Sequence, residues 1–124
     1  MKLMPYWLDT APRFTGGQTD APGGSVDVAV VGAGFTGLSA AIALAKKGAS
    51  VAVFDAATVG GAASGRNGGM CNNGFAQDYG ALSGRLGRER ANMLYRAFDA
   101  GVCKVESLIA QEGIRLGVDA FAHG

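Results

Sequence analysis

The sequence predicts an α/β protein built on one strand–helix–strand unit, with a long helix behind it and the rest of the sheet absent. Three observations predict this. Two short β-branched runs, residues 26–31 and 50–54, flank a segment with helical spacing at residues 35–47. A second helical stripe occupies residues 87–112. Between the second strand and that stripe lie roughly thirty residues of mostly Gly, Ala, Ser and Asn, longer than a structureless loop in a compact domain.

Residues 1–25 show no sustained period and contain Pro5, Pro12, Pro22 and two Gly-Gly pairs, so they read as an extended leader with a short turn around Tyr6-Trp7-Leu8. The remainder, residues 26–124, reads as the amino-terminal part of a single domain. The run Val26-Asp27-Val28-Ala29-Val30-Val31 is bounded by glycines and is predicted to be a buried strand. In the helix that follows, Leu38, Ile42 and Ala45 share a face, and Lys46-Lys47 before Gly48 suits a carboxyl-terminal end. A crossover helix makes the second strand parallel to the first. In the long helix, Leu94, Phe98, Val102, Val105 and Leu108/Ile109 form one stripe, and Tyr79 and Tyr95 are expected to pack against parts of the protein not in this chain. Gly113 ends that helix, and residues 114–118 are expected to begin another strand. Two strands do not complete a doubly wound domain, so a fragment is expected.

Composition narrows the function. The chain is 48% hydrophobic and 17% charged, the balance of a folded protein, and its net charge of +1 gives no nucleic-acid surface. Of 124 residues 21 are glycine, against about 7% in average proteins, and they cluster where a backbone must approach a ligand. Two cysteines, Cys71 and Cys103, make neither a disulfide framework nor a metal site; both read as free thiols, with Cys71 buried or partly buried. Pro5 and Asp9 interrupt the start before a signal-peptide core develops, and no apolar stretch spans a bilayer, which places the expectation in the cytoplasm. The one histidine, His123, lies next to the last residue and reads as solvent-facing. No catalytic acid–base pair and no metal ligands are evident.

The motif that carries chemistry is Gly32-Ala33-Gly34-Phe35-Thr36-Gly37. A GxGxxG alone is weak, but this one follows a strand, opens a helix and sits in a βαβ unit of the right length. Gly32 permits the sharp turn, Gly34 lets a diphosphate approach the backbone, and Gly37 lets helix and sheet come close. The N–H groups near Phe35 and Thr36 are expected to face the phosphates, where the helix dipole adds about half a positive charge. Asp55, about twenty residues beyond at the end of the second strand, is placed to accept hydrogen bonds from an adenosine ribose, and its charge disfavours a 2′-phosphate. Together these give the Rossmann-like dinucleotide unit. FAD and NAD share it; the long small-residue loop after Asp55 favours FAD, whose length past the diphosphate needs backbone donors.

At these residues the sequence resembles the FAD-dependent D-amino-acid-oxidase-like family, which includes glycine and sarcosine oxidases, with the gamma-glutamylputrescine oxidoreductase branch the nearest likeness. The residues that carry it are Tyr6-Trp7, the run from Asp27 through Gly37 to Ser39, and Val59-Gly60-Gly61-Ala62-Ala63-Ser64-Gly65-Arg66-Asn67-Gly68-Gly69. The resemblance implies that Ala56, Ala63 and Ser64 continue the cofactor contacts beyond Asp55, and that Arg66, Asn67, Gly68 and Gly69 lie near the isoalloxazine ring. It implies a parent enzyme that oxidises CH–NH groups of a small amine or amino acid with FAD, the isolated chain being inactive. The family's ribose acid is more often Glu, one methylene longer than Asp55. Two other readings stand beside it: an NAD-dependent reductase, and a non-catalytic dinucleotide-binding module or truncated product.

Overall fold

The computed structural model describes residues 3–20 and 23–115. The chain divides into two compact units, residues 1–68 and 69–124.

The first unit holds α1 (Tyr6–Thr10), β1 (Val28–Val31), α2 (Phe35–Ala45), β2 (Val51–Phe54) and a 3-10 turn, Ala63–Arg66. β1 and β2 pair in parallel, with Val28 opposite Val51 and Val31 opposite Phe54. The pairing extends by one bond at its far end, where Gly32 N–H donates to Phe54 C=O at 2.7 Å. At its near end Asp27 and Ser50 bind each other reciprocally. The Asp27 carboxylate accepts from both Ser50 N–H and Ser50 Oγ at 2.8 Å, while Asp27 N–H donates to Ser50 Oγ at 2.9 Å. This pin holds the register where two short strands would otherwise fray, and the Ser50 backbone N–H, then its hydroxyl, holds the Asp27 carboxyl below the usual aspartate value.

The crossover helix packs on both strands. Ala41 is buried at its contact face, and Leu38, Ile42 and Leu44 are half-buried. Ala45, expected inward, is exposed. The helix ends by the predicted signal: Gly48 takes φ +91°, Gly48 N–H donates to Ala45 C=O at 2.9 Å, and Ala49 N–H to Leu44 C=O at 3.2 Å. That is a Schellman closure, which glycine's missing Cβ permits.

The first strand departs from the expectation of full burial. Val28 and Val30 are half-buried, whereas Ala29 is exposed and Val31 is 89% exposed. With two strands and one covering helix, alternate side chains reach an apolar neighbour only on one face. The leader also differs from a purely extended segment. Residues Tyr6–Thr10 form a short helix, α1, rather than a turn, with Pro5 as its N-cap and Asp9 N–H donating to Pro5 C=O at 3.1 Å.

The second unit contains α3 (Tyr79–Leu86) and α4 (Arg88–Gln111), separated by Gly87 at φ +82°. The long helix sits within one residue of each predicted boundary, and Ile114 N–H closes its end on Ile109 C=O at 3.0 Å. α3 was expected to be loop. Its interior Gly80, Ser83 and Gly84 mask any helical propensity, yet Asp78 caps it by accepting from Ala81 N–H at 2.9 Å. Burial then sustains it: Leu82 is 2% exposed and Ala91, on α4, is fully buried. Tyr79 and Tyr95 meet each other edge to face, with centroids 5.3 Å apart, and Tyr79 Oη donates to Asn92 Oδ1 at 2.6 Å. Phe75 packs on Phe98 in the same cluster. Ile114 and Arg115 form no strand, and residues 116–118 and His123 lie outside the described residues. Cys71, expected to be buried or partly buried, is exposed, as is Cys103.

Candidate dinucleotide-binding site

The candidate site lies in the first unit, where β1 hands over to α2. Gly32 turns the chain with φ +100°, a conformation that a side chain resists. Gly37 then lies so near β1 that a Cβ on it would stand 1.9 Å from the Gly32 carbonyl oxygen and 3.3 Å from Val30 Cγ1. This close approach brings the open start of α2 to the carboxyl end of the sheet. Gly34 is its N-cap and offers no side-chain cap.

Three groups from the chain beyond β2 close around this turn. The Asp55 carboxylate accepts from Ala33 N–H at 2.8 Å through one oxygen and from Ala57 N–H at 2.9 Å through the other. The Ala33 bond and then the Ala57 bond hold its carboxyl below the usual aspartate value, so it is ionised at neutral pH. Gly60 N–H donates to Ala33 C=O at 2.9 Å. Both backbone groups of the buried Ala33 are thereby satisfied by the segment after β2. Ser64 Oγ accepts from Phe35 N–H at 3.0 Å.

The amide expected to face phosphate at Phe35 is therefore engaged by Ser64. The N–H groups of Gly34, Thr36 and Gly37 have no acceptor among the described residues. They lie at the positive end of the α2 dipole. A Cβ on Gly34 would come within 2.8 Å of Ser64 Oγ, so an alanine methyl would intrude where the serine meets the helix start. A glycine-lined turn, uncommitted amides, an unspent hydroxyl and an exposed carboxylate form a donor–acceptor set that fits a diphosphate joined to a ribose.

The remaining predicted residues fall on the same segment. Ala56 follows Asp55 and is exposed; Ala63, Ser64 and Arg66 belong to the 3-10 turn, with the Arg66 residue exposed. Asn67 donates its side-chain amide to Ser64 C=O, while its own C=O accepts from Trp7 Nε1 at 2.9 Å. Gly68 ends the first unit and Gly69 begins the second. Two participants carried no role in the sequence reading. Gly60 belongs to an ordinary Gly-Gly signal, and its bond to Ala33 is visible only after folding. Trp7 enters the sequence reading as part of a short turn and of the resemblance, without a site role, although it is the one tryptophan of the chain. Among the described residues no cluster of ligating side chains could hold a metal, and no helix is long and apolar enough to cross a membrane.

Comparison with known proteins agrees with this geometry. The profile of the family described as FAD dependent oxidoreductase (DAO) matches residues 27–117. Over 69 residues, 56% of the chain, it is 48% identical to a probable oxidoreductase OrdL of Haemophilus influenzae, of which that stretch covers 16%. Over 89 residues, 72% of the chain, it is 38% identical to gamma-glutamylputrescine oxidoreductase of Escherichia coli, covering 21% of that protein. A probable oxidoreductase OrdL of Rhizobium meliloti is 45% identical over 69 residues. The aligned stretches thus span about a fifth or less of these relatives. No solved structure matches significantly. The matched profile spans the strand, the glycine turn, the acid and the serine loop alike, and the chain belongs to the DAO family of FAD-dependent oxidoreductases.

Proposed function

We propose that this chain supplies the ADP-binding cradle, and part of the flavin contact, of an FAD-dependent oxidoreductase acting on CH–NH groups of a small amine or amino acid. The carrying observation is the set of uncommitted Gly34, Thr36 and Gly37 amides opening beside an ionised, exposed Asp55. The amides and the Ser64 hydroxyl donate to the diphosphate. Asp55, oriented by Ala33 and Ala57, keeps lone pairs for the ribose hydroxyls, since each of its oxygens accepts one bond among the described residues. Arg66, Asn67 and Gly68 extend the contact toward the ring, with Gly69 following them in the chain.

Bound flavin supplies the hydride acceptor; the protein's part is to hold and orient it. The amine substrate class rests on the likeness to the gamma-glutamylputrescine oxidoreductase and on the family. The test is binding of FAD, ADP and NAD to the purified chain by calorimetry. FAD and ADP should bind, and Gly34→Val should abolish both by filling the approach to the amides. NAD binding in preference to FAD, or undiminished ADP binding by the valine variant, refutes the assignment.

A further inference from the structure

We infer that the leader helix α1 is a working part of this cradle, with Trp7 a positioning residue that acts through Asn67 and Ser64. The inference rests on the proposed cofactor role of the α2 start and extends it to a segment the motif does not contain.

Three hydrogen bonds in series carry it. Trp7 Nε1–H donates to the Asn67 carbonyl at 2.9 Å. The Asn67 side-chain amide donates to the Ser64 carbonyl. Ser64 Oγ accepts from Phe35 N–H, the first residue of α2, at 3.0 Å. Residue 7 is thus joined to the amino end of the crossover helix through the 3-10 turn. Packing repeats the connection: Leu8 Cδ2 lies 3.4 Å from the position of a Cβ on buried Gly65, and that Cβ would also strike the Gly60 carbonyl oxygen at 2.3 Å. Glycine at 65 lets α1 and residue 60 close on the turn from both sides.

The energetics favour a shared role over an incidental contact. A five-residue helix does not persist alone, because nucleation costs more than one turn returns. A 3-10 turn of four residues is likewise weakly held by its own bonds. Each stabilises the other, and what their union fixes is the rotamer and position of Ser64. That serine uses its oxygen as an acceptor for Phe35 and, among the described residues, spends its hydroxyl hydrogen on no acceptor. A hydroxyl has one hydrogen to donate. With Ser64 Oγ 2.8 Å from the position of a Cβ on Gly34, at the open start of α2, a rotatable hydroxyl hydrogen suits a diphosphate oxygen. Trp7 reaches that oxygen only indirectly, by keeping Ser64 in register with α2.

The test uses the whole chain with ADP as the probe. Trp7→Phe keeps an aromatic ring and removes the N–H donor. ADP affinity should fall about five- to tenfold, the size of one hydrogen bond, with helix content by circular dichroism unchanged. Ser64→Ala should cause a similar loss, and the double variant should bind no more weakly than Ser64→Ala alone. Asn67→Ala cuts the middle link from the other side and should also weaken ADP, which keeps the inference testable should the Trp7 variant fail to fold. A Trp7→Phe chain that binds ADP normally, two losses that multiply in the double variant, or normal binding by Asn67→Ala overturns it. An unaltered chain that binds no ADP refutes the site itself, and the inference with it.

Discussion

Alanine at Gly37 and alanine at Gly34 should have opposite consequences, although the two glycines belong to one motif. At an exposed interior helix position, Gly→Ala ordinarily stabilises by about 1 kcal/mol. Gly37 lies in the first turn of α2, and its new methyl would stand 1.9 Å from the Gly32 carbonyl oxygen and 3.1 Å from its carbon. Both are backbone atoms, so no rotamer change relieves the overlap. Helix and strand must part by roughly an ångström, at the cost of an overpacked core, about 1–3 kcal/mol and at the upper end here. Net destabilisation of about 2 kcal/mol should lower Tm by roughly 10 °C for a unit of this size. At Gly34 the methyl meets the Ser64 side chain, with Oγ at 2.8 Å and Cβ at 3.8 Å, and φ is −92°. The Ser64 hydroxyl must leave its place on Phe35 N–H, a loss confined to one exposed hydrogen bond, so stability should change little while ADP affinity falls. Thermal unfolding by circular dichroism and ADP calorimetry on both variants separate the two. A Gly37→Ala protein as stable as the unaltered chain would refute the close-approach reasoning. So would a Gly34→Ala protein that loses stability and keeps ADP.

Other expectations follow the same physical lines. Because two backbone amides hold the Asp55 carboxyl below the usual aspartate value of about 4, its contribution to fold and ligand should stay level from neutral pH down to that value. It should be lost as pH falls further, through the depressed folded value; affinity for FAD, whose internal diphosphate has no group titrating between pH 7 and pH 5, should stay level there, and a decline would contradict this. Asp55→Asn should remove that acid-side transition and weaken ADP binding, measured by calorimetry across pH. Leu82→Ala, at the most buried large side chain among the described residues, should cost about 2–3 kcal/mol and melt α3 selectively, because α3 lacks strong intrinsic propensity. Amide exchange should then rise first in residues 79–86, and exchange that rises equally along β1 and β2 would count against it.

How much of this was legible beforehand depended on how local each cause is. Residues 26–55 and 88–112 carry period, β-branching and glycine stops within a few residues, so the βαβ unit, its parallel pairing and the long helix could be read from the chain alone. Gly48 and Gly113 ended their helices as expected, since a left-handed closure needs only the glycine and its immediate neighbours. The motif likewise located Gly32, Gly34, Gly37 and Asp55, because spacing along a strand–turn–helix fixes which end of the sheet they share.

Only the folded structure decided the contacts between residues far apart in sequence. α3 exists through Leu82 and Ala91 and the ring contacts of Tyr79 with Tyr95, not through propensity. The exposure of Val31 follows from how few layers cover the sheet, which no window along a strand reveals. Above all, Phe35 N–H is met by Ser64, Ala33 by Asp55 and Gly60, and Asn67 by Trp7. Ala33 draws in its two partners because its backbone groups are withdrawn from water and need bonds. At exposed Phe35 and Asn67 water could serve instead, and the partner is set by three-dimensional closure rather than by order along the chain.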